Sequence, residues 1–211
     1  MTETLLHAGD VELAATLDVP ADAGGVIVFA HGAGSSRLSP RNLAVAEYLR
    51  QTGHFGTLLF DLLTPHEDAT YENRFDIGLL TERLVAACRW LHARPESEGA
   101  PLGLFGASTG AAAALRASVA IPEFITAVVS RGGRPDLAAG ALPLVAVPTL
   151  LIVGGADYQV LELNHRALSM MPGGIARLEV VPGATHLFEE RGALEQVARL
   201  TRDFFTETFA F

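Results

Sequence analysis

The segment Pro101-Leu-Gly-Leu-Phe-Gly-Ala-Ser-Thr-Gly-Ala-Ala-Ala-Ala-Leu115 carries the strongest structural signal in this chain. Its first five residues are an apolar run typical of a buried strand, and its last five are alanine-rich, which favours a helix. Between them, residues 106–110 fit the pattern G-x-S-x-G. In that pattern a serine stands on a tight turn with its Oγ clear of the backbone, and small residues let strand and helix approach. The stretch therefore predicts a strand, a nucleophile elbow at Ser108 and a helix.

The rest of the chain alternates predicted strands and helices, as α/β sheets do. Strands are expected at Val11–Val19 (as a half-exposed edge strand), Val26–Ala30, Gly56–Asp61, Ile125–Ser130, Thr149–Val153 and Leu178–Val181, and helices at Asn42–Gln51, Phe75–Ala93, Glu162–Met171 and from Ala193 onward. The connection from Ser130 to Thr149 has room for one small helix near Asp136–Leu142 and none for a large cap domain. We expect one α/β domain over residues 1–211, with a mostly parallel central sheet flanked by helices.

Composition excludes several function classes. The formal net charge of -9 argues against nucleic acid or an anionic membrane as the partner. All 15 basic residues are arginine, which excludes a Walker A lysine, a Schiff-base lysine and a Ser-Lys dyad. Codon bias is the simplest reason for the missing lysine. No Cys and His cluster offers a zinc site, so neither a metal nor a cofactor is expected.

Cysteine usage and the apolar runs predict a soluble, cytoplasmic protein. The single cysteine, Cys88, lies at helical spacing among apolar neighbours, which indicates a buried structural thiol. The N-terminus has no basic segment before an apolar stretch, so no signal peptide is predicted. The longest apolar run, Ala141–Val153, contains two prolines and is shorter than the roughly 18 residues of a membrane span.

An elbow serine needs a general base and a group that orients the base. The strand ending at Val153 leads into Gly154-Gly-Ala-Asp157, and the strand ending at Val181 leads into Pro182-Gly-Ala-Thr-His186. The carboxyl ends of parallel strands meet at one edge of the sheet, where sites in such folds form. Ser108, Asp157 and His186 therefore predict a catalytic triad in the chain order serine, acid, histidine.

Other residues are weaker candidates for the same roles. Asp136 follows the predicted strand Ile125–Ser130 and is an alternative to Asp157 as the acid of the triad. His165 falls in the middle of a predicted helix, which indicates a surface residue. Asp61 is interpreted as a structural contact between loops, with a substrate contact as the alternative. The histidines before the elbow are expected in ordinary surface or loop positions; they are His7, His54, His66 and His92.

The oxyanion of an acyl-transfer intermediate needs two backbone N–H donors. Thr109, the residue after the nucleophile, is expected to supply one. The loop His31-Gly-Ala-Gly-Ser-Ser36 follows a predicted strand and carries glycines that let the backbone approach a ligand closely. Ala33 is the predicted second donor, with Gly34 as the alternative, and His31 is expected to brace the loop. A phosphate cradle is the competing interpretation of this loop.

Four segments together resemble the α/β-hydrolase superfamily: the loop His31-Gly-Ala-Gly-Ser-Ser36, the elbow at residues 106–110, and the segments that lead to Asp157 and to His186. The lack of a cap and the loop lengths are similar to the dienelactone hydrolase-like branch of that superfamily. The resemblance covers nearly the whole chain and implies a serine hydrolase. Dienelactone hydrolases proper use a cysteine nucleophile, whereas position 108 is serine. This departure favours a carboxylesterase acting on small, short-acyl esters. Epoxide hydrolases and haloalkane dehalogenases use aspartate at the elbow and are disfavoured.

Several residues near the predicted rim are candidates for substrate binding. Arg37 and Arg131 are candidates for binding a substrate carboxylate bidentately, although surface arginines that brace loops are the favoured interpretation. Apolar pocket walls are predicted from four further side chains, each equally compatible with the core: Leu62, Tyr158, Leu187 and Phe188.

Three function classes stay open at this point. A carboxylesterase on a small-molecule ester leads, followed by a hydrolase of lactones, thioesters or peptide-like bonds on the same triad. A non-catalytic binding module is the most distant. The phenylalanines at the C-terminal end are expected to pack on the core or to form a dimer contact, so both a monomer and a homodimer are compatible with the sequence.

Overall fold

The computed structural model describes residues 2–209. Its strands are β1 Thr2–Ala8, β2 Val11–Asp18, β3 Val26–Ala30, β4 Gly56–Phe60, β5 Leu102–Ala107, β6 Ile125–Arg131, β7 Thr149–Gly154 and β8 Ala176–Val181. Its helices are α1 Pro40–Gly53, α2 Pro65–Asp68, α3 Ile77–His92, α4 Thr109–Ala120, α5 Tyr158–Met170 and α6 Ala193–Phe209. Short 3₁₀ turns lie at Tyr71–Phe75, Pro95–Ser97, Pro135–Ala138 and Leu142–Leu144.

The eight strands form one mostly parallel sheet in the order β1-β2-β4-β3-β5-β6-β7-β8. β1 pairs antiparallel with β2, and β2 antiparallel with β4, whereas β3 to β8 run parallel. The carboxyl ends of β3, β5, β6, β7 and β8 therefore meet at one edge of the sheet. This is the α/β-hydrolase arrangement that the sequence predicted.

Helices cover both faces of the sheet because its parallel strands are apolar on both sides. In β3, Val28 faces the core shared with α3 and α4, while Ile27 and Phe29 face the core shared with α1 and α6. Phe204 and Phe205 of α6 are buried in that second core. The C-terminal phenylalanines within the described residues thus pack on the sheet, in agreement with the first of the two expectations for them.

Several elements differ from the sequence prediction, among them α5, which begins at Tyr158 and not at Glu162, and α2, which was not predicted. β1 was not predicted, and it takes the edge position that had been assigned to β2. Helix α1 begins at Pro40, two residues early, because the Ser39 side chain accepts a hydrogen bond from the Asn42 amide and proline is suited to the first turn. The segment between β6 and β7 holds two short 3₁₀ turns in place of one small helix.

Two further predictions concern burial and apolar runs. Cys88 is fully buried on α3, and burial raises the pKa of its thiol to about 12, which agrees with an inert structural thiol. In the part of the chain that the structure describes, no helix combines the length and the apolarity that a membrane span requires.

Candidate active site

The turn between β5 and α4 places Ser108 in an unusual backbone conformation. Its φ is 51° and its ψ is -118°. Residues other than glycine rarely adopt this backbone conformation. The flanking glycines explain how the turn is accommodated. A Cβ on Gly110 would lie 2.2 Å from the Ala30 carbonyl oxygen, and a Cβ on Gly106 would lie 2.4 Å from the Ala111 Cα. The elbow is therefore held between strand β3 and its own helix by contacts that only glycine permits.

Asp157 and His186 meet across the ends of β7 and β8. Asp157 directly precedes α5, and His186 lies in the loop after β8; the distance from His186 Nδ1 to Asp157 Oδ2 is 2.7 Å. The Asp157 side chain is 14% exposed and that of His186 is 38% exposed. A carboxylate at Nδ1 fixes the proton there and leaves Nε2 free to accept one.

Ser108 and His186 line the same cavity of about 180 Å³. Its wall also contains Leu187, Arg131 and residues of the oxyanion loop. Within residues 2–209, Ser108 Oγ has no hydrogen-bond partner, so the cavity presents a hydroxyl that is not engaged elsewhere. Contacts between a nucleophile and its base are commonly longer without substrate and shorten in the complex.

The loop after β3 lies against the elbow. A Cβ on Gly32 would lie 3.1 Å from Ser108 Cβ, so a larger residue there would be a tight fit against the elbow. The Ala33 amide donates a hydrogen bond of 2.9 Å to Thr109 Oγ1, and Gly34 has a positive φ of 69°. The amide predicted to bind an oxyanion is thus paired with the threonine side chain of the elbow.

His31 braces this loop through hydrogen bonds of its imidazole ring to the backbone. Its Nε2 accepts a hydrogen bond of 3.0 Å from the Leu62 amide, and its Nδ1 lies 3.0 Å from the Gly32 carbonyl oxygen. Because Nε2 is an acceptor, the ring is neutral with its proton on Nδ1. Burial lowers the pKa of His31 below its ordinary value of 6.5, which favours this neutral form.

The candidate binding residues fall into two groups. Arg131 and Leu187 line the cavity beside Ser108. Arg37 does not line it: its guanidinium binds Asp61 at 2.8 Å, and its amide also donates to that carboxylate at 2.7 Å. Asp61 thereby makes the loop contact that the sequence analysis expected of it.

The remaining apolar candidates lie elsewhere. Leu62 and Phe188 are buried in the two cores, and Tyr158 is 76% exposed at the start of α5, outside the cavity that contains Ser108. The alternative acid, Asp136, forms a bidentate ion pair with Arg134, and His165 is exposed on α5. Among residues 2–209, no group of three His, Cys, Asp or Glu side chains is placed to hold a metal.

Arg41 and Asn42 also line the cavity, although the sequence did not predict them as site residues. Both belong to the first turn of α1. The hydrophobic pattern predicted that this helix begins at Asn42, whereas it begins at Pro40. The signal was present in Ser39-Pro40, an N-cap residue followed by proline. Recognising that helix start would have placed both side chains beside the oxyanion loop.

Comparisons with known proteins agree with the fold. The chain is 50% identical to a dienelactone hydrolase from Anabaena variabilis, with 98% of this chain and 97% of that chain covered and a TM-score of 0.94. Est1E from Butyrivibrio proteoclasticus, solved with ferulic acid bound, shares the fold at 16% identity over 99% and 100% of the two chains, with a TM-score of 0.83. No family model matches.

Curated relatives occur in two strains of Mycobacterium tuberculosis, where they are named putative phosphoribosyl transferases. They are 56% identical over 97% of this chain. The chain spans about half the length of these relatives, 46%.

Proposed function

The chain belongs to the dienelactone hydrolase family of α/β-hydrolases, and from that premise we propose that it is a serine hydrolase that cleaves small esters. The observation that carries the proposal is the Asp157–His186 hydrogen bond of 2.7 Å at the cavity that Ser108 also lines. The strained elbow supports it, since such strain clusters at functional sites. The role of each residue follows from its chemistry.

In the first step, Ser108 Oγ attacks the ester carbonyl carbon and its proton passes to His186 Nε2. Asp157 keeps the imidazole oriented and stabilises its positive charge. The Thr109 amide, together with that of Ala33 or Gly34, stabilises the oxyanion. When the intermediate collapses, the C–O bond to the alcohol breaks and the alkoxide takes the proton from His186.

The second step returns the enzyme to its starting state. His186 removes a proton from water, the hydroxide attacks the acyl carbon, and Ser108 Oγ leaves with the proton that His186 returns. A carboxylic acid is released. Every proton transfer in the cycle uses the same Nε2 atom, which is consistent with the fixed tautomer.

Ser108→Ala tests this proposal, with hydrolysis of 4-nitrophenyl acetate and labelling by a fluorophosphonate probe as readouts. We expect the variant to fold and to lose both reactions. Ser169→Ala is the matched control, since Ser169 is exposed on α5 and its hydroxyl donates to the Arg166 carbonyl oxygen of the same helix, and it should behave as the parent. Hydrolysis by Ser108→Ala at the parent rate would contradict the proposal.

Lactones are a second substrate candidate, favoured by the dienelactone hydrolase at 50% identity. The same two steps open a cyclic ester, except that the alcohol stays attached to the acyl group. A panel of lactones and open-chain esters of equal carbon number, compared by kcat/KM, separates the two candidates.

The name of the curated relatives suggests phosphoribosyl transfer, which we attribute to the part of those proteins that this chain does not match. The match extends over 46% of their length, and the matched part has a hydrolase fold. The glycine-bearing loop at His31 lies against Ser108, which supports its assignment to the oxyanion and not to a phosphate cradle.

A further inference from the structure

The end of β6 and the three residues after it, residues 131–134, contact Ser108 through the backbone. We call these residues the support segment. The Arg131 carbonyl oxygen accepts a hydrogen bond from the Ser108 amide, and the Arg134 amide donates to the Ser108 carbonyl oxygen. Because the support segment binds the backbone on both sides of Ser108, a shift of this segment displaces the nucleophile.

The support segment also lies against His186. Gly132 has a positive φ of 52°. A Cβ on this glycine would lie 3.3 Å from the His186 carbonyl oxygen and 3.5 Å from His186 Cε1. The Gly132 amide donates to the Ile152 carbonyl oxygen of β7 at 2.8 Å. One short segment therefore contacts both the candidate nucleophile and the candidate base.

Asn164 connects the support segment to α5. The residue is fully buried on this helix. Its Nδ2 donates to the Gly133 carbonyl oxygen at 3.0 Å and to the Val160 carbonyl oxygen of its own helix at 2.8 Å. Helix α5 begins directly after Asp157. A single side-chain hydrogen bond thus joins the helix that follows the candidate acid to the segment that binds Ser108.

Two polar atoms near this connection are buried without a hydrogen-bond partner in residues 2–209. They are Asn164 Oδ1 and Ser130 Oγ. The Ser130 hydroxyl lies next to Gly133, because a Cβ on that glycine would lie 2.0 Å from Ser130 Oγ. Burying a polar atom without a partner costs free energy, which an apolar side chain would avoid. Residues that break a rule of folding in this way are expected at functional sites.

We propose that Asn164, through its hydrogen bond to Gly133, is a positioning residue that fixes Ser108 relative to the acid and the base of the triad. The inference rests on the proposed function and adds a residue that lies outside the cavity containing Ser108. The rate of a reaction between bound groups is sensitive to their placement, and a displacement of about 1 Å can lower it by roughly a hundredfold.

Asn164→Thr separates the two hydrogen bonds of Asn164. A threonine hydroxyl in a helix can donate to the carbonyl oxygen four residues earlier, here that of Val160, and has no second proton for Gly133. Asn164→Ser has the same single donor and a smaller side chain, so it replaces the threonine variant if that variant does not fold. Failure of both variants to fold would make Asn164 a folding residue and overturn the proposal.

Thr201→Val is the matched control. Thr201 is fully buried on α6, and its hydroxyl donates to the Val197 carbonyl oxygen of the same helix at 2.8 Å. This variant therefore also loses a buried hydrogen bond, but one that does not connect two elements. Urea unfolding of each protein gives the folded fraction by which the measured rates are corrected.

Hydrolysis of 4-nitrophenyl acetate is the first readout. Both steps of the reaction use the same triad, so Asn164→Thr should lower kcat by roughly tenfold to a hundredfold and leave KM little changed. Thr201→Val should keep the kcat of the parent. A parental kcat in Asn164→Thr overturns the proposal. An equal decrease in both variants also overturns it, because the loss would then follow stability alone.

Hydrogen exchange of the Ser108 and Arg134 amides, followed by NMR, is the second readout and needs no activity. Relative to the amides of β5, both should exchange several-fold faster in Asn164→Thr than in the parent, and at the parental rate in Thr201→Val. If the parent neither hydrolyses an ester nor reacts with the fluorophosphonate probe, the proposed function fails and exchange alone decides the role of Asn164. Unchanged exchange in Asn164→Thr, or an equal increase in both variants, overturns that role.

Discussion

The amide of Ser108 donates a hydrogen bond of 3.2 Å to the carbonyl oxygen of Arg131. The Arg134 amide in turn donates to the Ser108 carbonyl oxygen at 3.1 Å. The segment after β6 therefore holds the elbow through its main chain, while the Arg131 side chain lines the cavity. Because these contacts involve only backbone atoms, a substitution at Arg131 changes the charge of the cavity and leaves the support of Ser108 intact.

Asp157→Asn should reduce kcat by roughly 10³-fold or more, because an amide cannot hold the same His186 tautomer or stabilise the imidazolium. The measurement is steady-state hydrolysis of 4-nitrophenyl acetate. Asp136→Asn is the matched control, since Asp136 pairs with Arg134 instead, and its kcat should stay within a few-fold of the parent. The reverse pattern would assign the acid to Asp136.

Gly110→Ala should destabilise the protein by about 3 kcal/mol or more. The added Cβ would lie 2.2 Å from the Ala30 carbonyl oxygen and 2.5 Å from that of His31, and a backbone oxygen cannot move aside as a flexible side chain can. Urea unfolding measures the change. Gly140→Ala, where the added Cβ meets nothing within 4 Å, should be neutral or slightly stabilising; similar losses in both variants would contradict this explanation.

Local patterns of the sequence were sufficient for most of the sheet and for the placement of Ser108, Asp157 and His186. Each of these residues follows a short apolar run, and parallel strands bring their carboxyl ends together whatever the exact register. The edge strand was missed because β1 has polar and exposed positions along much of its length, so its apolar signal is weak.

The acidic partner of each arginine cannot be predicted from the neighbouring residues in the sequence. Arg37 and Arg131 both follow predicted strands, yet one binds Asp61 and the other has no carboxylate partner in the described residues. Which acid reaches which arginine depends on loop paths and on where α1 begins. Those features are set by tertiary packing, so the sequence suggested a pair of arginines but assigned one of its two members to a residue outside the cavity.

Thr109→Val should destabilise the protein by about 1–2 kcal/mol, because the Ala33 amide loses the hydroxyl oxygen that accepts its hydrogen bond at 2.9 Å. Thr109→Ser keeps an acceptor and should lose less than half as much. Urea unfolding of the two variants isolates the hydroxyl, since valine has nearly the shape of threonine. Equal stability of Thr109→Val and the parent would show that the Ala33 amide finds another partner.

The stability of the protein should decrease as the pH falls below about 6.5. The pKa of His31 is lower in the folded state than its ordinary value of 6.5, so below that pH the unfolded chain binds a proton that the folded state does not. One such proton lowers the free energy of unfolding by at most about 1.4 kcal/mol per pH unit, until the folded-state pKa is reached.

Urea unfolding at pH 7.5, 6.5 and 5.5 measures this dependence against two variants. His31→Gln removes the buried imidazole and should show a shallower loss of stability than the parent. His165→Gln removes an exposed imidazole and should follow the parent. A parallel decline in all three proteins would assign the acid sensitivity to other groups.

Arg131→Met should raise the free energy of unfolding of the protein without ligand, by about 1–3 kcal/mol. The guanidinium is buried with Nε and Nη1 unpaired, whereas methionine is flexible and has no charge to desolvate. A residue retained for folding would behave in the opposite way, and Arg37→Met, which breaks the contact with Asp61, should lower stability. Thermal and urea unfolding in a buffer free of phosphate and carboxylates give the comparison. Stability of Arg131→Met equal to or below that of the parent would contradict this explanation.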